Sequence, residues 1–440
     1  MFMENRYDKY KDSGIAWIGE IPEHWEVIDL KYLSDIRGRI GFRGYTVSDL
    51  VSEGEGAFVI GGKHINQCVL NMESPDYISW DKYYESPEIM VSKGDIVMAQ
   101  RGTLGKVAII EYDINEATIN PSLVLIKNIK CQGKFLYYYL NSESTLTLIS
   151  ILNTATAVPM ISQNQIENMP IPIPSFVEQQ SIANYLDQKC DEIDELITLQ
   201  EEMITKLQSY KQSVITEAVT KGLDKNVPLK DSGIEWVGEI PKHWEVKRLK
   251  NVCSTNNASL SDKTSKEFEF DYVDIGSVSF ELGIHKTEKY TFQNAPSRAR
   301  KIARLGDIIV STVRTYLRAI DIINSEEKEK YIYSTGFAIL SPLKNILSEF
   351  MIYICRSEYF TNQVSIYSTG INYPSINDTA LKMIYIVMPP LSEQQSIADY
   401  LDQKCSEIDE LISIKQRKIE KLKDYKKSLI FECVTGKRKV

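Results

Sequence analysis

Two long stretches of the chain place apolar residues at alternating spacings of four and three, with mostly charged residues between them. This is the a/d pattern of a heptad repeat, and about four heptads of it predict a long helix that pairs with another helix. The predicted core positions are Leu186, Ile193, Ile197, Ile204 and Leu207 in the first stretch, and Leu401, Ile408, Ile412, Ile419 and Leu422 in the second.

The ends of both predicted helices carry matching signals. Prolines precede each helix, and Gly222 and Gly436 stand just past the predicted ends. A helix from Glu178 to Val219 would be about 63 Å long, since each residue adds roughly 1.5 Å. Two matched helices in one chain most simply pack on each other, antiparallel, with one module at each end. Pairing between two chains is the alternative.

The segments before the two helices alternate between strand and helix patterns. Residues 94–110 and 306–323 each predict strand, turn and strand. The stretches "KFLYYYLNS" and "SEFMIYICRSEYF" predict matching amphipathic helices. Each segment therefore predicts an α+β globule of about 150 residues, a common domain size.

The chain is an internal repeat of two whole modules. "DSGIAWIGEIPEHWEV" from Asp12 returns as "DSGIEWVGEIPKHWEV" from Asp231, with 13 of 16 residues identical. "EQQSIANYLDQKCDEIDELI" from Glu178 returns from Glu393 with 18 of 20 identical, while the segments between differ almost completely. We predict four parts: a first module (1–174), a central helix and linker (175–226), a second module (227–390) and a distal helix (391–440).

Composition narrows the class of protein. At 43% hydrophobic and 25% charged residues, the chain is typical of a soluble globular protein, and no apolar run approaches a membrane span. Seven cysteines without a CxxC pair favour a reducing, cytoplasmic location over disulfides or a zinc site. The net charge of −9 is unusual for a nucleic-acid-binding protein, so local basic clusters must decide that question.

Motifs for chemistry are largely absent. "RGTLGK" from Arg101 lacks the spacing of a phosphate loop, and no GxGxxG, HExxH or GxSxG motif occurs. Asn120-Pro121-Ser122 lacks the aromatic residue that would complete an adenine-methylating site. His24 and His243 belong to the repeated PxHW motif, which favours a packed corner over a catalytic site. We expect no catalysis, no metal site and no cofactor in this chain.

Clusters of arginine among glycine, hydroxyl and tyrosine residues remain as candidates for DNA contacts. Arginine suits both phosphates and base edges, although any one such cluster is more often ordinary solvated surface. The clusters occur at comparable places in both modules. The candidates are Arg37, Arg39, Arg43, Arg101 and Lys106 in the first module, and Arg298, Arg300, Lys301, Arg314, Tyr316 and Arg318 in the second.

The two diverged modules, each preceded by "DSGIxWxGEIPxHWEV" and followed by "EQQSIAxYLDQKCxEIDELI", resemble the specificity subunit of Type I restriction–modification systems. The resemblance covers essentially the whole chain. It implies two target recognition domains separated by two long helices in an antiparallel coiled coil, related by a pseudo-two-fold axis. It also implies that each domain recognises one half of a bipartite double-stranded DNA target.

The resemblance implies partners as well. Such subunits recruit two methyltransferase subunits, which methylate adenine with S-adenosylmethionine, and two endonuclease subunits that use ATP with Mg²⁺. Two other interpretations stay open: a fused enzyme with its own methyltransferase, and a two-headed protein-binding scaffold without a DNA role. Tight S-adenosylmethionine binding by the isolated chain would favour the first, and DNA binding insensitive to the arginines would favour the second.

Overall fold

The computed structural model describes residues 6–39, 41, 44–66, 69–153 and 158–440. The chain divides into two compact units. The first runs to Gln200 and also contains Arg417–Val440, and the second is Glu201–Gln416. The division falls inside both long helices, so each unit combines one variable segment with part of each helix. The four parts predicted from the sequence follow the order of segments along the chain, and they stay a prediction.

The first unit is built on two four-stranded sheets, ordered β11-β10-β13-β4 and β12-β6-β9-β5, with three two-stranded pairs, β1-β2, β14-β3 and β7-β8. Its strands are β1 (Tyr10–Asp12), β2 (Glu20–Pro22), β3 (Glu26–Asp29), β4 (Asp35–Gly38), β5 (Leu50–Val51), β6 (Gly56–Ile60), β7 (Ile65–Asn66), β8 (Val69–Leu70), β9 (Tyr77–Ser79), β10 (Ile96–Ala99), β11 (Val107–Ile109), β12 (Ala117–Ile119), β13 (Leu123–Lys127) and β14 (Pro170–Ile173).

The second unit has sheets ordered β18-β28-β25-β26 and β19-β24-β27-β20-β23, with pairs β15-β16, β17-β29 and β21-β22. Its strands are β15 (Leu229–Asp231), β16 (Glu239–Pro241), β17 (Glu245–Arg248), β18 (Cys253–Thr255), β19 (Ala258–Ser259), β20 (Glu269–Val273), β21 (Val278–Ser279), β22 (Gly283–Ile284), β23 (Glu288–Thr291), β24 (Ala299–Ile302), β25 (Ile308–Ser311), β26 (Ile320–Ile322), β27 (Ile332–Ser334), β28 (Phe337–Pro342) and β29 (Tyr385–Met388).

The described residues also form α-helices. They are α1 (Leu30–Leu33), α2 (Trp80–Tyr84), α3 (Gly133–Leu140), α4 (Glu143–Leu152), α5 (Gln163–Glu167), α6 (Phe176–Lys221), α7 (Glu326–Glu329), α8 (Ser348–Arg356), α9 (Glu358–Ile366), α10 (Asp378–Lys382) and α11 (Leu391–Val434). Within the described residues, no helix is both long and apolar enough to cross a membrane.

In each unit one sheet lies between two hydrophobic cores: β11-β10-β13-β4 in the first unit and β18-β28-β25-β26 in the second. In β10, Ile96 and Met98 join the core that includes helix α6, while Val97 and Ala99 join the core against the other sheet. Strand β25 divides its residues between two cores in the same way. Side chains alternate between the faces of a strand, so a strand buried on both faces is apolar throughout. The predicted strand–turn–strand pairs β10–β11 and β25–β26 are confirmed.

The amphipathic helices differ slightly from the prediction. Helix α3 matches "KFLYYYLNS", whereas "SEFMIYICRSEYF" covers α8 and the start of α9. The break falls at Ser357, which has an extended backbone with φ −71° and ψ 153° and is the N-cap residue of α9. The Ser357 hydroxyl donates back to Ile354 O at 2.6 Å, so this extended residue closes the end of α8 before α9 begins.

The two predicted long helices are present, with 46 residues in α6 and 44 in α11. Leu186, Ile193, Leu401, Ile408 and Ile419 are buried. The remaining predicted core positions, Ile197, Ile204, Leu207, Ile412 and Leu422, are partly buried. The heptad pattern therefore identifies the buried stripe of each helix.

Within the first unit, the segments of α6 and α11 run in opposite directions. Lys426 Nζ lies 2.6 Å from Asp194 Oδ2, and Arg438, just past the end of α11, donates to the hydroxyl of Tyr185 at 3.5 Å. A higher residue number on one segment thus meets a lower number on the other. In the second unit, Lys211 Nζ makes a matching ion pair with Asp409 at 2.6 Å.

Candidate nucleic-acid interface

A hairpin loop and a proline-containing loop lie together in each unit. We call residues 100–106 and 312–318 the first and second hairpin loops, and residues 158–161 and 368–376 the first and second proline loops. Gly102 N donates to Pro159 O at 2.9 Å, and Thr315 N donates to Pro374 O at 3.4 Å. The two prolines are the pair that the repeat aligns, so the same backbone frame is built twice.

A third segment completes this frame. In the first unit, Ser122 O accepts from Gln100 N at 2.9 Å and from Arg101 N at 3.2 Å. In the second, Gly336 O accepts from Thr312 N at 2.8 Å. Each hairpin loop is therefore held from two sides by backbone hydrogen bonds, which fixes the main chain while leaving side chains at its tip to differ.

In the first hairpin loop, Arg101 and Lys106 have different surroundings. The side chain of Arg101 is exposed, with Nη2 3.6 Å from Met160 Sδ. Lys106 is half-buried and its Nζ donates to Gly62 O at 3.1 Å. Arg101 is thus available at the surface, whereas Lys106 is already bound to the protein's own backbone.

In the second hairpin loop, all three predicted residues come together. The side chain of Tyr316 is 60% exposed, Arg314 is exposed and Arg318 is half-buried. Arg314 Cζ lies 5.3 Å from the ring centroid of Tyr373, and Arg318 Cζ lies 5.8 Å from that of Phe280. The structure therefore places two cations and an aromatic side chain on one short turn.

The basic residues at β24 differ in exposure, with Arg298 at the surface and Lys301 directed into the protein. Arg298 is exposed and its carbonyl accepts from Thr335 N, next to the Gly336 that holds the second hairpin loop. Arg300 Cζ lies 4.7 Å from the ring centroid of Phe292, and its Nη2 is 4.0 Å from an Asp262 carboxylate oxygen. Arg298 therefore lies beside the hairpin-loop frame.

The side chain of Lys301 is directed into the protein. Its Nζ donates to Asn256 Oδ1 at 2.7 Å and to the carbonyl of Phe337. Burial lowers the pKa of this ammonium. Its assignment as a surface contact is corrected, because a cation with two internal acceptors has little left to offer a ligand.

The arginines near β4 are likewise divided. Arg37 is exposed, 3.7 Å from the carboxylate of Asp35. Arg39 is only 7% exposed and donates to Thr118 Oγ1 at 3.1 Å and to Ile119 O at 3.3 Å. Burial lowers the pKa of Arg39. Its predicted role at the surface is therefore corrected, and Arg43 lies outside the described residues.

The second proline loop contains side chains that the sequence motifs did not select. Ile371 is fully exposed, Tyr373 is 66% exposed, and Asn372 between them is exposed. The Thr315 hydroxyl lies 3.1 Å from that of Ser368, which ties this loop to the hairpin loop. The signal that could have found it is Pro374, which aligns with Pro159 in the repeat.

The repeated PxHW motif is a packed corner around a carboxylate. Trp244 is completely buried, and its Nε1 donates to Glu393 Oε2 at 2.9 Å, while His243 Nε2 lies 2.7 Å from Oε1. In the first copy, Trp25 and His24 meet Glu178 at 3.1 and 3.0 Å. The motif thus fastens the start of each long helix to its own module.

Other reactive groups lie in the interior. Among the described residues, six cysteines are buried and unpaired, and no group of histidine, cysteine or acidic side chains has the arrangement of a metal site. Burial raises the pKa of the thiols of Cys131 and Cys190 to about 11.

The chain is similar in sequence to known proteins over most of its length. The chain is similar to the Type I restriction enzyme MjaVIII specificity subunit of Methanocaldococcus jannaschii, at 25% identity over 96% of this chain and 94% of that protein. It is also similar to the putative MjaX specificity subunit of that organism, at 27% identity over 96% of each chain.

One solved chain, from work on complex assembly and conformational transition of the type I R-M system, has the same fold. Its TM-score is 0.69 at 18% identity, with 94% of this chain and 99% of that one covered. The family model for the Type I restriction modification DNA specificity domain matches twice, at residues 22–207 and 241–424. The two matches cover most of the chain, which therefore belongs to the family of Type I restriction–modification specificity subunits and carries two copies of the DNA specificity domain.

Proposed function

We propose that the chain recognises a bipartite double-stranded DNA target, with one half-site for each module. The observation that carries this proposal is that the two units hold their hairpin and proline loops by corresponding backbone hydrogen bonds, such as Ile161 N to Gln100 O and Ile376 N to Thr312 O, both at 2.9 Å, yet present different side chains there. A shared frame with different contact residues is what two distinct half-sites require, because base edges are distinguished by the side chains that meet them.

The residues proposed for DNA contact are those whose side chains remain at the surface. Arg39, Lys106 and Lys301 are not included, since each already donates to acceptors inside the protein. The retained set is Arg37 and Arg101 in the first module, and Arg298, Arg300, Arg314, Tyr316 and Arg318 in the second. Arg300 is kept because its bond to Ala299 O, at 3.0 Å, uses only one of the five N–H donors of a guanidinium group.

We further propose that α6 and α11 form an antiparallel coiled coil with pseudo-two-fold symmetry. The heptad pattern and the matching ion pairs Lys426–Asp194 and Lys211–Asp409 support it. In this proposal the length of the helices sets the nonspecific gap between half-sites. At about 1.5 Å per residue, a 46-residue helix extends over roughly 69 Å.

The near-identity of the constant blocks supports the proposed partners. Two copies of the same helix surface can bind two copies of each partner. We therefore propose two methyltransferase subunits and two endonuclease subunits in a cytoplasmic complex. Acidic residues on α6 and α11, such as Asp191 and Glu410, are exposed and available for docking. Adenine methylation with S-adenosylmethionine and ATP- and Mg²⁺-dependent restriction would belong to those partners, and the chain itself would be non-catalytic.

The test is methylome sequencing of a methylation-free host that expresses the chain with its cognate methyltransferase. We expect modified adenines in one split motif with a fixed gap. An assembled complex that leaves the genome unmodified would contradict the proposal and favour a protein-binding scaffold. The scaffold also predicts that Arg300→Ala with Arg314→Ala leaves DNA binding unchanged, whereas we expect weaker binding.

A further inference from the structure

The second hairpin loop contains an unusual backbone. Arg314 and Arg318 have φ of +50° and +47°, the left-handed region that L side chains seldom occupy. The first hairpin loop has two left-handed positions as well, but there they are Gly102 and Gly105, both at φ +81°. Glycine adopts this conformation without steric strain, whereas arginine does not. The second loop thus keeps two arginines where glycine would be more stable.

The surrounding contacts hold the turn in this strained conformation. Between the two arginines, Thr315 is buried and tied to Ser368 and Pro374 of the second proline loop. Arg318 N donates to Thr315 O at 3.1 Å, which closes the turn. A non-glycine residue persists in such a conformation only when its surroundings determine it, and such positions cluster at functional sites.

The guanidinium groups of Arg314 and Arg318 are held near other side chains, but among the described residues their hydrogen-bond donors are unused. Each lies near an aromatic ring, Arg314 by Tyr373 and Arg318 by Phe280. Within the described part of the chain, neither makes a side-chain hydrogen bond or an ion pair. Arg39, Lys106 and Lys301, by contrast, donate to internal acceptors. A planar cation held near a ring, with its donors unused, is well suited to bind two acceptors at once.

Resting on the proposed function, we infer that Arg314 and Arg318 recognise guanine in the half-site of the second module, and that their left-handed backbone exists to present them. Guanine offers O6 and N7 as paired acceptors in the major groove, and the arginine fork matches them. The first hairpin loop has glycine at its two left-handed positions, Gly102 and Gly105, so these two positions provide no side chain to recognise the first half-site.

The test uses the full chain in complex with its cognate methyltransferase and the variants Arg314→Gly and Arg318→Gly. Glycine relieves the strain and matches the first loop, so we expect the melting temperature to stay the same or rise. We expect one guanine of the second half-site to become degenerate in the methylome while the first half-site is unchanged. The affinity for the wild-type motif should fall about 5- to 150-fold, the range for one bidentate base contact.

A second measurement identifies the contacted atom. Replacing each guanine of the second half-site with 7-deazaguanine removes the N7 acceptor. The wild-type complex should lose affinity at one or two of these positions, and the matching glycine variant should lose nothing further there. This readout applies even if a variant methylates too slowly for methylome analysis.

Two control variants separate the alternatives. Glu116→Gly relieves a left-handed residue at φ +56° in the first module, and should leave the motif unaltered. Arg314→Lys keeps the charge but lacks the fork, so it should also relax the guanine preference. If the glycine variants lose affinity equally for every sequence, the arginines contact phosphate and the inference is overturned.

The outcome for the wild-type complex distinguishes this inference from the proposed function. A wild-type complex that methylates no split motif would contradict both the proposed function and the guanine assignment. A wild-type complex with a split motif that Arg314→Gly and Arg318→Gly leave unchanged, with full affinity, overturns the guanine assignment alone.

Discussion

At the scale of single residues, one carboxylate connects the constant motifs of each copy. Glu393 accepts from the buried indole of Trp244 and meets His243, as Glu178 meets Trp25 and His24 in the first copy. The blocks are far apart in sequence, yet both are nearly identical between copies. This pairing gives a physical reason for their similarity, because a change on one side leaves a buried donor on the other without a partner.

Replacing Glu393 with alanine should therefore destabilise the second unit by about 1–3 kcal/mol, the usual cost of an unsatisfied buried polar group. Urea unfolding with an unchanged m-value measures this. Glu410→Ala is the matched control, since Glu410 is an exposed acid on the same helix. Glu393→Gln keeps an acceptor and should recover part of the loss. Equal losses for Glu393→Ala and Glu410→Ala would contradict the role of the carboxylate.

The buried thiols should make stability fall in alkali. Burial raises the pKa of Cys190 from 9.0 to about 11, so the folded protein resists an ionisation that the unfolded chain undergoes. The stabilisation is complete below pH 9 and is lost as pH rises from 9 through 11. Between pH 8 and pH 10 we expect this thiol to account for about 1 kcal/mol of lost stability.

Comparison with Cys190→Ala isolates this contribution from that of the lysines, which titrate in the same range. The difference in unfolding free energy between wild type and variant should shrink by about 1 kcal/mol from pH 8 to pH 10. A pH-independent difference would mean that the thiol is accessible to water.

The candidate site was only partly predictable at this scale. The arginine clusters selected the second hairpin loop, where Arg314 and Tyr316 are exposed, but composition could not show which way each side chain points. Lys301 follows a β-bulge between residues 299 and 301, where the register of β24 against β27 shifts. Such a shift changes the face on which later side chains lie. Arg39 comes just after the end of β4, so strand alternation does not govern it.

At the scale of elements, the long helices were the most predictable part of the fold. Their apolar spacing is local and sustained, so the buried stripe follows from sequence alone. The proline loops were not predictable, because their position depends on backbone hydrogen bonds to a hairpin more than 50 residues away in the chain. The break between α8 and α9 was missed because its N-cap serine lies within a continuous amphipathic pattern.

The two ion pairs between helix segments should contribute little to stability. Lys426 and Asp194 are 29% and 55% exposed, so solvent screens their attraction. A double-mutant cycle with Lys426→Met and Asp194→Asn should give a coupling of about 0.2–1 kcal/mol that falls as salt is added.

The same cycle on Lys211 and Asp409 in the second unit is the internal control, and we expect a similar coupling because the repeat aligns the two pairs. A coupling well above 1 kcal/mol that does not respond to salt would mean that these pairs are desolvated.

At the scale of the whole molecule, charge limits what the chain can do alone. Its net charge is −9, although binding to DNA depends strongly on neutralising phosphates. The proposed base contacts lie on two short hairpin loops and at two strands, β4 and β24, and they offer few cations for the DNA backbone. We therefore expect partner subunits to supply most of the phosphate contacts, with this chain supplying most of the sequence preference.

Salt dependence tests this division of roles. Each neutralised phosphate adds about 0.9 to the slope of log K against log salt concentration. We expect the isolated chain to bind its target weakly with a shallow slope, and the complex with methyltransferase to have a slope steeper by at least about two. Arg314→Gly should reduce the complex's affinity for its motif without changing the slope, because a base contact releases no phosphate counterion. A slope that does not change on assembly would mean that the acidic chain itself neutralises the phosphates.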